Sequence, residues 1–572
     1  MVGVPRIEGL RGERGQVVTV RYAEMLYPEL IPSNPVPPYT EQMYRQRKGQ
    51  LYTENYRGAI SIDTYTMRGG DKPETFVPSM TDHGFRYLSI SGIDSALPLD
   101  CVKGLVLESI GEATGFFECS DPDINRLFNN IQWGQRGNFQ TVPTDCPQRD
   151  ERQGWTGDAQ VFARAATYFS PYVDNFYKRW LYSMRDNQNI DGSYFNYYPV
   201  TGRPPYGFTN NNPGWIGWME AGIIIPWQMY QQFGDIEVLR EHYASMSSYM
   251  DYLDRNSNNF LQPNMGIGDH LALERTDIGL TNTAYYAYDA YMMSRIAAAL
   301  GKQDDARRYE QLWQNVKAAF VNTYIDKEGY TVAPKGDGTV RVDTQTSYAL
   351  PLYFGLLDGE LRDLCAAKLA RNVREHGNKL TTGFIGTPYL CSALSASGYD
   401  ELAYALFEQR EYPSWLYSVL QGATTMWERW NSYTIENGFG PVDMNSFNHY
   451  AYGSIAEWMY ARCLGIGRDE NAPGYRNILL SPTPGGSLSY ASGGFETPQG
   501  VVRSAWKREE GRVVYSFTIP AGSTADLSLQ APSKRAMKLL KGKEGAGRIS
   551  YADGRVSTRL GSGEYEIEIT LH

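Results

Sequence analysis

The hydrophobic repeat changes period twice along this chain, and those two changes limit the folds open to it. Up to about residue 113 the apolar residues alternate over short runs, as in 17–22, 59–63, 85–90 and 105–107, with Gly, Pro and Asp between them. Period-two alternation bounded by turn residues predicts strands, here an antiparallel β-sandwich. At Ser120-Asp-Pro-Asp123 an N-cap residue and a proline just inside the first turn open a helical period, and Ile124, Leu127, Phe128 and Ile131 share one face. Helical runs are expected near 121–138, 157–169, 172–187, 217–233, 235–255, 282–300, 303–324, 342–355, 359–376, 386–397, 400–410 and 450–464. The clearest carries Ala306, Tyr309, Leu312, Trp313, Val316 and Phe320 on one side. Such a series, with few strands between, fits six α-hairpins closed into a toroid; an α-solenoid would show an internal repeat, and none is found. After Pro473 alternation returns in 478–480, 501–506, 513–519, 525–529 and 565–571, predicting a second β-sandwich. The expected domains are residues 1–113 (β), 114–470 (helical toroid) and 471–572 (β).

Charge and cysteine usage narrow the function. Fifty-four Lys and Arg against 64 Asp and Glu leave a net charge of −10, the wrong sign for tracking phosphates, so nucleic acid is not expected as a partner. Cysteines 101, 119, 146, 365, 391 and 463 show no CxxC spacing and read as reduced thiols of a cytoplasmic protein. The N-terminus lacks an apolar core segment, and the longest apolar runs, such as 221–227, are too short to span a bilayer. No membrane partner is expected. The 43 Tyr and 12 Trp offer flat apolar faces with polar tips, which suit sugars or aromatic ligands.

Two stretches hold the unusual chemistry. In 144–159, Asp145, Asp150, Glu151 and Asp158 alternate with Arg149, Arg152 and Trp155, broken by Pro147, Gly154 and Gly157. A solvated charge run seldom needs the Trp and glycines, whereas carboxylates among arginines can divide into ionised and protonated members for acid/base work. In 424–430, Glu428 sits between Trp427 and Trp430; buried there, it either pairs with Arg429 or titrates high. His449 follows in Met444-Asn-Ser-Phe-Asn-His449. Two acidic centres on different loops of one toroid mouth are what glycosidic hydrolysis needs. HExxH, GxxxxGK[ST], GxSxG and GxGxxG are absent, which removes the entry motifs of zincins, P-loop enzymes, nucleophile-elbow hydrolases and Rossmann folds.

At these residues the sequence resembles the bacterial α-L-rhamnosidases of glycoside hydrolase family 78. The resemblance rests on 145–158, Thr382-Gly-Phe-Ile-Gly-Thr-Pro-Tyr389, Tyr412-Pro-Ser-Trp-Leu-Tyr417, 422–430 and Met444-Asn-Ser-Phe-Asn-His-Tyr-Ala-Tyr-Gly453. It implies an (α/α)6 barrel flanked by antiparallel β-sandwich domains, and inverting release of terminal α-L-rhamnose from a small rhamnoside or oligosaccharide. Glu151 would be the general acid and Glu428 the general base, their carboxyl groups roughly 6.5–9.5 Å apart to admit a water. Asp145 and Asp158 would hold sugar hydroxyls, Trp155 and Trp218 would give an apolar wall, and His449 a polar contact. Neither cofactor nor metal is implied, and a homo-oligomer is possible.

Two departures from the family pattern stand out. His270 occupies a position where members commonly carry Trp, so that pocket wall would be polar or missing, with His270 itself at the rim contacting sugar or aglycone. Members are also usually longer at the N-terminus, with further β-domains. A toroid polysaccharide lyase relying on Tyr/His proton abstraction, and a catalytically silent sugar-binding protein, remain alternatives.

Overall fold

The computed structural model describes residues 1–200 and 213–571. The chain divides into two compact units, one of Met1–Gly111, Asn129–Gly154 and Gln421–Tyr450, the other of Glu112–Phe128, Trp155–Leu420 and Ala451–His572. Both acidic stretches singled out in the sequence, up to Gly154 and from Gln421, thus fold in the same unit as the N-terminal strands.

In the first unit, strands Val17–Ala23, Ile62–Thr66 and Tyr87–Ser91 form one antiparallel sheet. Val2–Leu10 centres another, pairing with Val102–Val106, Glu74–Phe76 and His83–Gly84. Ile7, Leu10, Val18, Val20, Tyr22, Met67 and Phe85 form their common core. Strand Val2–Leu10 carries Gly3, Pro5 and Gly9, which look like breakers in the sequence; Gly3 and Pro5 pair in register with Val106 and Gly104, and a register shift between Ile7 and Leu10 falls at Gly9. The strand expected at 59–63 forms three residues later. A helix not expected from the alternation, Glu41–Arg47, starts where Thr40 caps the Met43 N–H.

A second core in this unit matters more for the site. Tyr27, Tyr39, Tyr44 and Tyr52 pack with Trp427, Tyr433, Phe439 and Phe447, and the Tyr44 hydroxyl accepts the Phe439 N–H at 2.8 Å. Each ring buried this way contributes about 1.5–3 kcal/mol. This aromatic cluster anchors the segment that carries Glu428.

In the second unit, Thr156–Phe169, Ala221–Phe233, Ile278–Ala299, Gln345–Tyr353, Thr387–Ala396 and the turns from Ala451 to Cys463 contact one another in sequence order, and the last contacts the first. They form the closed inner ring of an (α/α)6 barrel. Val173–Asp186, Glu237–Asn256, Gln303–Tyr324, Gly359–Glu375 and Asp400–Phe407 each follow an inner member and return outside it. The division follows from sequence: Ile278–Ala299 is buried nearly all round, whereas Gln303–Tyr324 fully buries only Tyr309, Val316, Phe320 and Tyr324. The run expected at 450–464 is a mixture of 3₁₀, α and π turns, and a short helix at Trp415–Leu420 had no clear sequence signal.

The C-terminal region holds a six-stranded sheet and a five-stranded one. All five expected strands are present, joined by Tyr490–Thr497, Met537–Lys541, Ser550–Ala552 and Arg555–Leu560. Phe116–Cys119 pairs antiparallel with Tyr490–Thr497. One departure from a fully antiparallel sandwich is the parallel pairing of Asn477–Leu480 with Thr524–Gln530. No helix among the described residues is long and apolar enough to cross a membrane, and the six cysteines are unpaired.

Candidate active site

The segment after helix Pro122–Asn138 has little regular structure, and side chains close it into a loop. Thr144 donates its N–H (3.1 Å) and hydroxyl (2.9 Å) to the Asn138 carbonyl. Asp145 and Gln153 then clasp: the Asp145 N–H donates to the Gln153 carbonyl, and Oδ1 accepts the Gln153 N–H, both at 3.0 Å. Between these ends Arg149, 1 % exposed, points inward. Its Nη2 lies 2.6 Å from Glu151 Oε2, 3.3 Å from Glu428 Oε1 and 3.9 Å from Asp145 Oδ2, while Nε donates to Cys146 Sγ at 3.2 Å. A second guanidinium, Arg57, reaches Glu151 Oε2 at 3.0 Å and donates from Nε to the Asp443 carbonyl at 2.9 Å. Asp150 Oδ2 accepts the Gly58 N–H at 3.1 Å.

Glu428, 4 % exposed, is bracketed by one residue. Its Oε2 accepts the Ser446 N–H at 2.7 Å, and its own N–H donates to the Ser446 carbonyl at 3.0 Å. Of the two sequence alternatives for a buried Glu428, pairing with Arg429 does not form: Glu428 pairs with Arg149, and Arg429 donates to Asn431 Oδ1 at 3.1 Å. His449, 2 % exposed, donates its N–H to the Met426 carbonyl at 2.9 Å, and its ring stacks on Tyr450.

Burying Asp145, Glu151 and Glu428 together would be prohibitive without counter-charge. Burial opposes the Arg149 charge, yet Cys146 and these three carboxylates hold its guanidinium well above its ordinary range. Burial also pushes the Cys146 thiol well up. Asp145, Cys146 and Glu151 bring three potential metal ligands within 4.8 Å of one another. The Arg149 guanidinium already lies against these three side chains, so the local charge has a protein counter-ion.

Glu151 and Glu428 share one partner atom, Arg149 Nη2. Both distances above run to the same nitrogen, so Glu151 Oε2 and Glu428 Oε1 can be no farther apart than 2.6 and 3.3 Å laid end to end. The shared guanidinium draws the two oxygens together.

The other expected contacts belong to the second unit, at the N-terminal ends of inner helices. Trp155 is the N-cap residue of Thr156–Phe169 and Asp158, 3 % exposed, lies in its first turn. The half-buried Trp155 ring stacks parallel to Trp215 at 6.4 Å and meets Tyr197 at 5.2 Å. Trp218, just before Ala221–Phe233, is 2 % exposed and stands perpendicular to Trp215 and His270, each at 6.0 Å. A Cβ on residue 157 would collide with the Trp218 indole, which accounts for Gly157. Trp155 and Trp215 are therefore the more exposed indoles of this cluster. Trp215 lies beside Trp218 in Gly214-Trp-Ile-Gly-Trp218 and joins the cluster without a sequence signal that sets it apart from other tryptophans.

His270 is half-buried, with its ring edge-on to Phe384 at 5.2 Å as well as to Trp218. Asp269 beside it is a structural pin. Its carboxylate accepts the N–H groups of Gly383 (2.8 Å), Ile385 (2.9 Å) and Gly386 (3.1 Å) and the Thr346 hydroxyl. The Thr382–Tyr389 motif is thereby fastened to the His270 turn, whose carbonyl accepts the Phe384 N–H at 2.9 Å.

Comparison with known proteins shows which family the chain resembles along its length. Residues 112–463 match the bacterial alpha-L-rhamnosidase 6 hairpin glycosidase domain, 465–544 the C-terminal domain of the same enzymes, and 1–108 their concanavalin-like domain. An alpha-L-rhamnosidase of Streptomyces avermitilis is 36% identical over 570 residues, covering 100% of this chain and 51% of that protein. One of Formosa agariphila is 36% identical over 554 residues, 94% of this chain and 55% of that protein. The crystal structure of the Streptomyces avermitilis enzyme complexed with L-rhamnose superposes with a TM-score of 0.88 at 35% identity, over 100% of this chain and 51% of the other. The Aspergillus terreus enzyme gives 0.82 at 31% identity, over 100% and 61%. The chain spans about half the length of the curated relatives it matches.

Proposed function

As the chain belongs to the bacterial α-L-rhamnosidases of the six-hairpin glycosidase family, we propose that it hydrolyses terminal α-L-rhamnose from flavonoid, oligosaccharide or aryl rhamnosides. The observation that carries the reading is the convergence of Glu151 and Glu428 on one buried guanidinium. Glu151, the more exposed of the two, donates a proton to the glycosidic oxygen. Glu428 takes a proton from water attacking the anomeric carbon from the opposite face, which inverts its configuration. Ser446 fixes one Glu428 oxygen and leaves the other toward Arg149. Asp145, Asp158 and His449 bond sugar hydroxyls, and Trp155, Trp218 and His270 form the wall. The S. avermitilis complex with L-rhamnose supports the choice of sugar. Binding needs neither nucleic acid nor membrane, and the unpaired cysteines support a cytoplasmic setting. The proposed domain limits remain 1–113, 114–470 and 471–572.

Incubation with a chromogenic α-L-rhamnoside tests the activity itself. Free rhamnose supports hydrolysis, an unsaturated sugar would indicate a lyase, and no product would leave a binding protein.

A further inference from the structure

The contacts behind Glu428 lead back to the N-terminal strands of the same unit. Ser446 brackets Glu428, and the peptide groups on both sides of Ser446 are themselves held. The Asn55 side-chain amide donates to the Asn445 carbonyl and to Glu24 Oε2, each at 3.0 Å. Glu24 Oε2 also accepts the Phe447 N–H, at 3.2 Å. Asn55 lies in the turn Glu54–Tyr56 and is 0 % exposed; Glu24 follows strand Val17–Ala23 and is 5 % exposed. The second Glu24 oxygen, Oε1, is buried without a hydrogen-bond partner. An apolar residue would avoid that cost, so a purely structural role explains this carboxyl poorly.

We propose that Glu24 and Asn55 are positioning residues for Glu428: they clamp residues 445 and 447, fix the Ser446 N–H and carbonyl, and so aim the Glu428 carboxylate. The inference rests on Glu428 acting as the base. A base displaced by about 1 Å from its water loses up to about 10²-fold in rate, and nothing else in the clamp touches the reacting groups.

The test is a mutant cycle on the full chain, with a fluorogenic aryl α-L-rhamnoside as substrate. Glu24→Ala and Asn55→Ala are expected to lower kcat by about 10- to 100-fold with KM held within about threefold. Glu24→Gln should restore most of the rate, because its amide oxygen still accepts the Phe447 N–H. In a Glu428→Gln background, Glu24→Ala and Asn55→Ala should cause no further loss, since aiming a group that no longer acts is without effect. Equal losses in both backgrounds, or wild-type kcat in Asn55→Ala and Glu24→Ala, would overturn the proposal. Should Glu24→Ala fail to fold, Asn55→Ala carries the cycle. Wild-type activity in Glu428→Gln alone would instead overturn the base assignment, and the positioning role with it.

Discussion

Glu151 and Glu428 reach the same atom, Arg149 Nη2, at 2.6 and 3.3 Å. Two carboxylates far apart in sequence are held by one guanidinium that is almost wholly enclosed. Positions of both groups therefore depend on a third residue, and each can be tested apart from it.

Glu151→Gln and Glu428→Gln should each cut the hydrolytic rate on a natural rhamnoside by about 10²–10⁴-fold while leaving the fold intact. An activated phenol as leaving group needs less protonation, so Glu151→Gln should be partly spared on such a substrate and Glu428→Gln should not. Steady-state kinetics on the two substrate types give the comparison, and near wild-type rates in both variants on the natural rhamnoside would refute the assignment.

Arg149→Met keeps an unbranched apolar stem and removes the guanidinium and its charge, leaving Asp145, Glu151 and Glu428 without their shared counter-ion. Breaking a buried ion pair from one side costs about 3–5 kcal/mol, so urea denaturation should show a lower midpoint with an unchanged slope. An unchanged midpoint would mean that Arg57 alone neutralises the group.

Much of this was legible in the sequence because hydrophobic period is a local property. The inner helices, the five C-terminal strands and the acidic stretches all announce themselves within a dozen residues. What stayed hidden is non-local. Nothing near Glu428 says that its partner is Arg149 and not the adjacent Arg429, and nothing near Tyr27 or Tyr52 says that they pack on Phe439. Pro5 and two glycines hid strand Val2–Leu10, whose pairing depends on partners remote in sequence. Asp269 reads as one more acidic residue until the backbone of 383–386 is folded around it.

His270 stands edge-on to Trp218 and half-exposed, where a Trp would add stacking area. His270→Trp should tighten KM for rhamnosides and flatten its dependence on pH across the imidazole range near 6.5. His270→Ala should weaken KM and flatten it likewise. Kinetics from pH 5 to 8 decide this, and unchanged KM profiles in both variants would remove His270 from the substrate wall.

Burial raises the Glu24 carboxyl from its ordinary 4.5 to about 7, against the opposing bonds from Phe447 and Asn55. Its neutral form is thus favoured in the folded state. Between about pH 4.5 and 7 the folded chain holds a proton that the unfolded chain has released, so stability falls as pH rises through this window. The contribution is roughly 3 kcal/mol by pH 7. Glu24→Gln, which cannot ionise, should gain stability relative to wild type as pH rises from 5 to 8. Denaturation midpoints of the two proteins that stay parallel over that range would contradict it.

The central claim is that Glu428 activates water and does not bond to the sugar. Proton NMR of freshly released rhamnose, recorded before mutarotation, tests it most directly. β-L-Rhamnose appearing first is the expected result, because a single displacement from the α-glycoside inverts the anomeric carbon. Early accumulation of the α-anomer would mean retention, make Glu428 the nucleophile, and contradict the account.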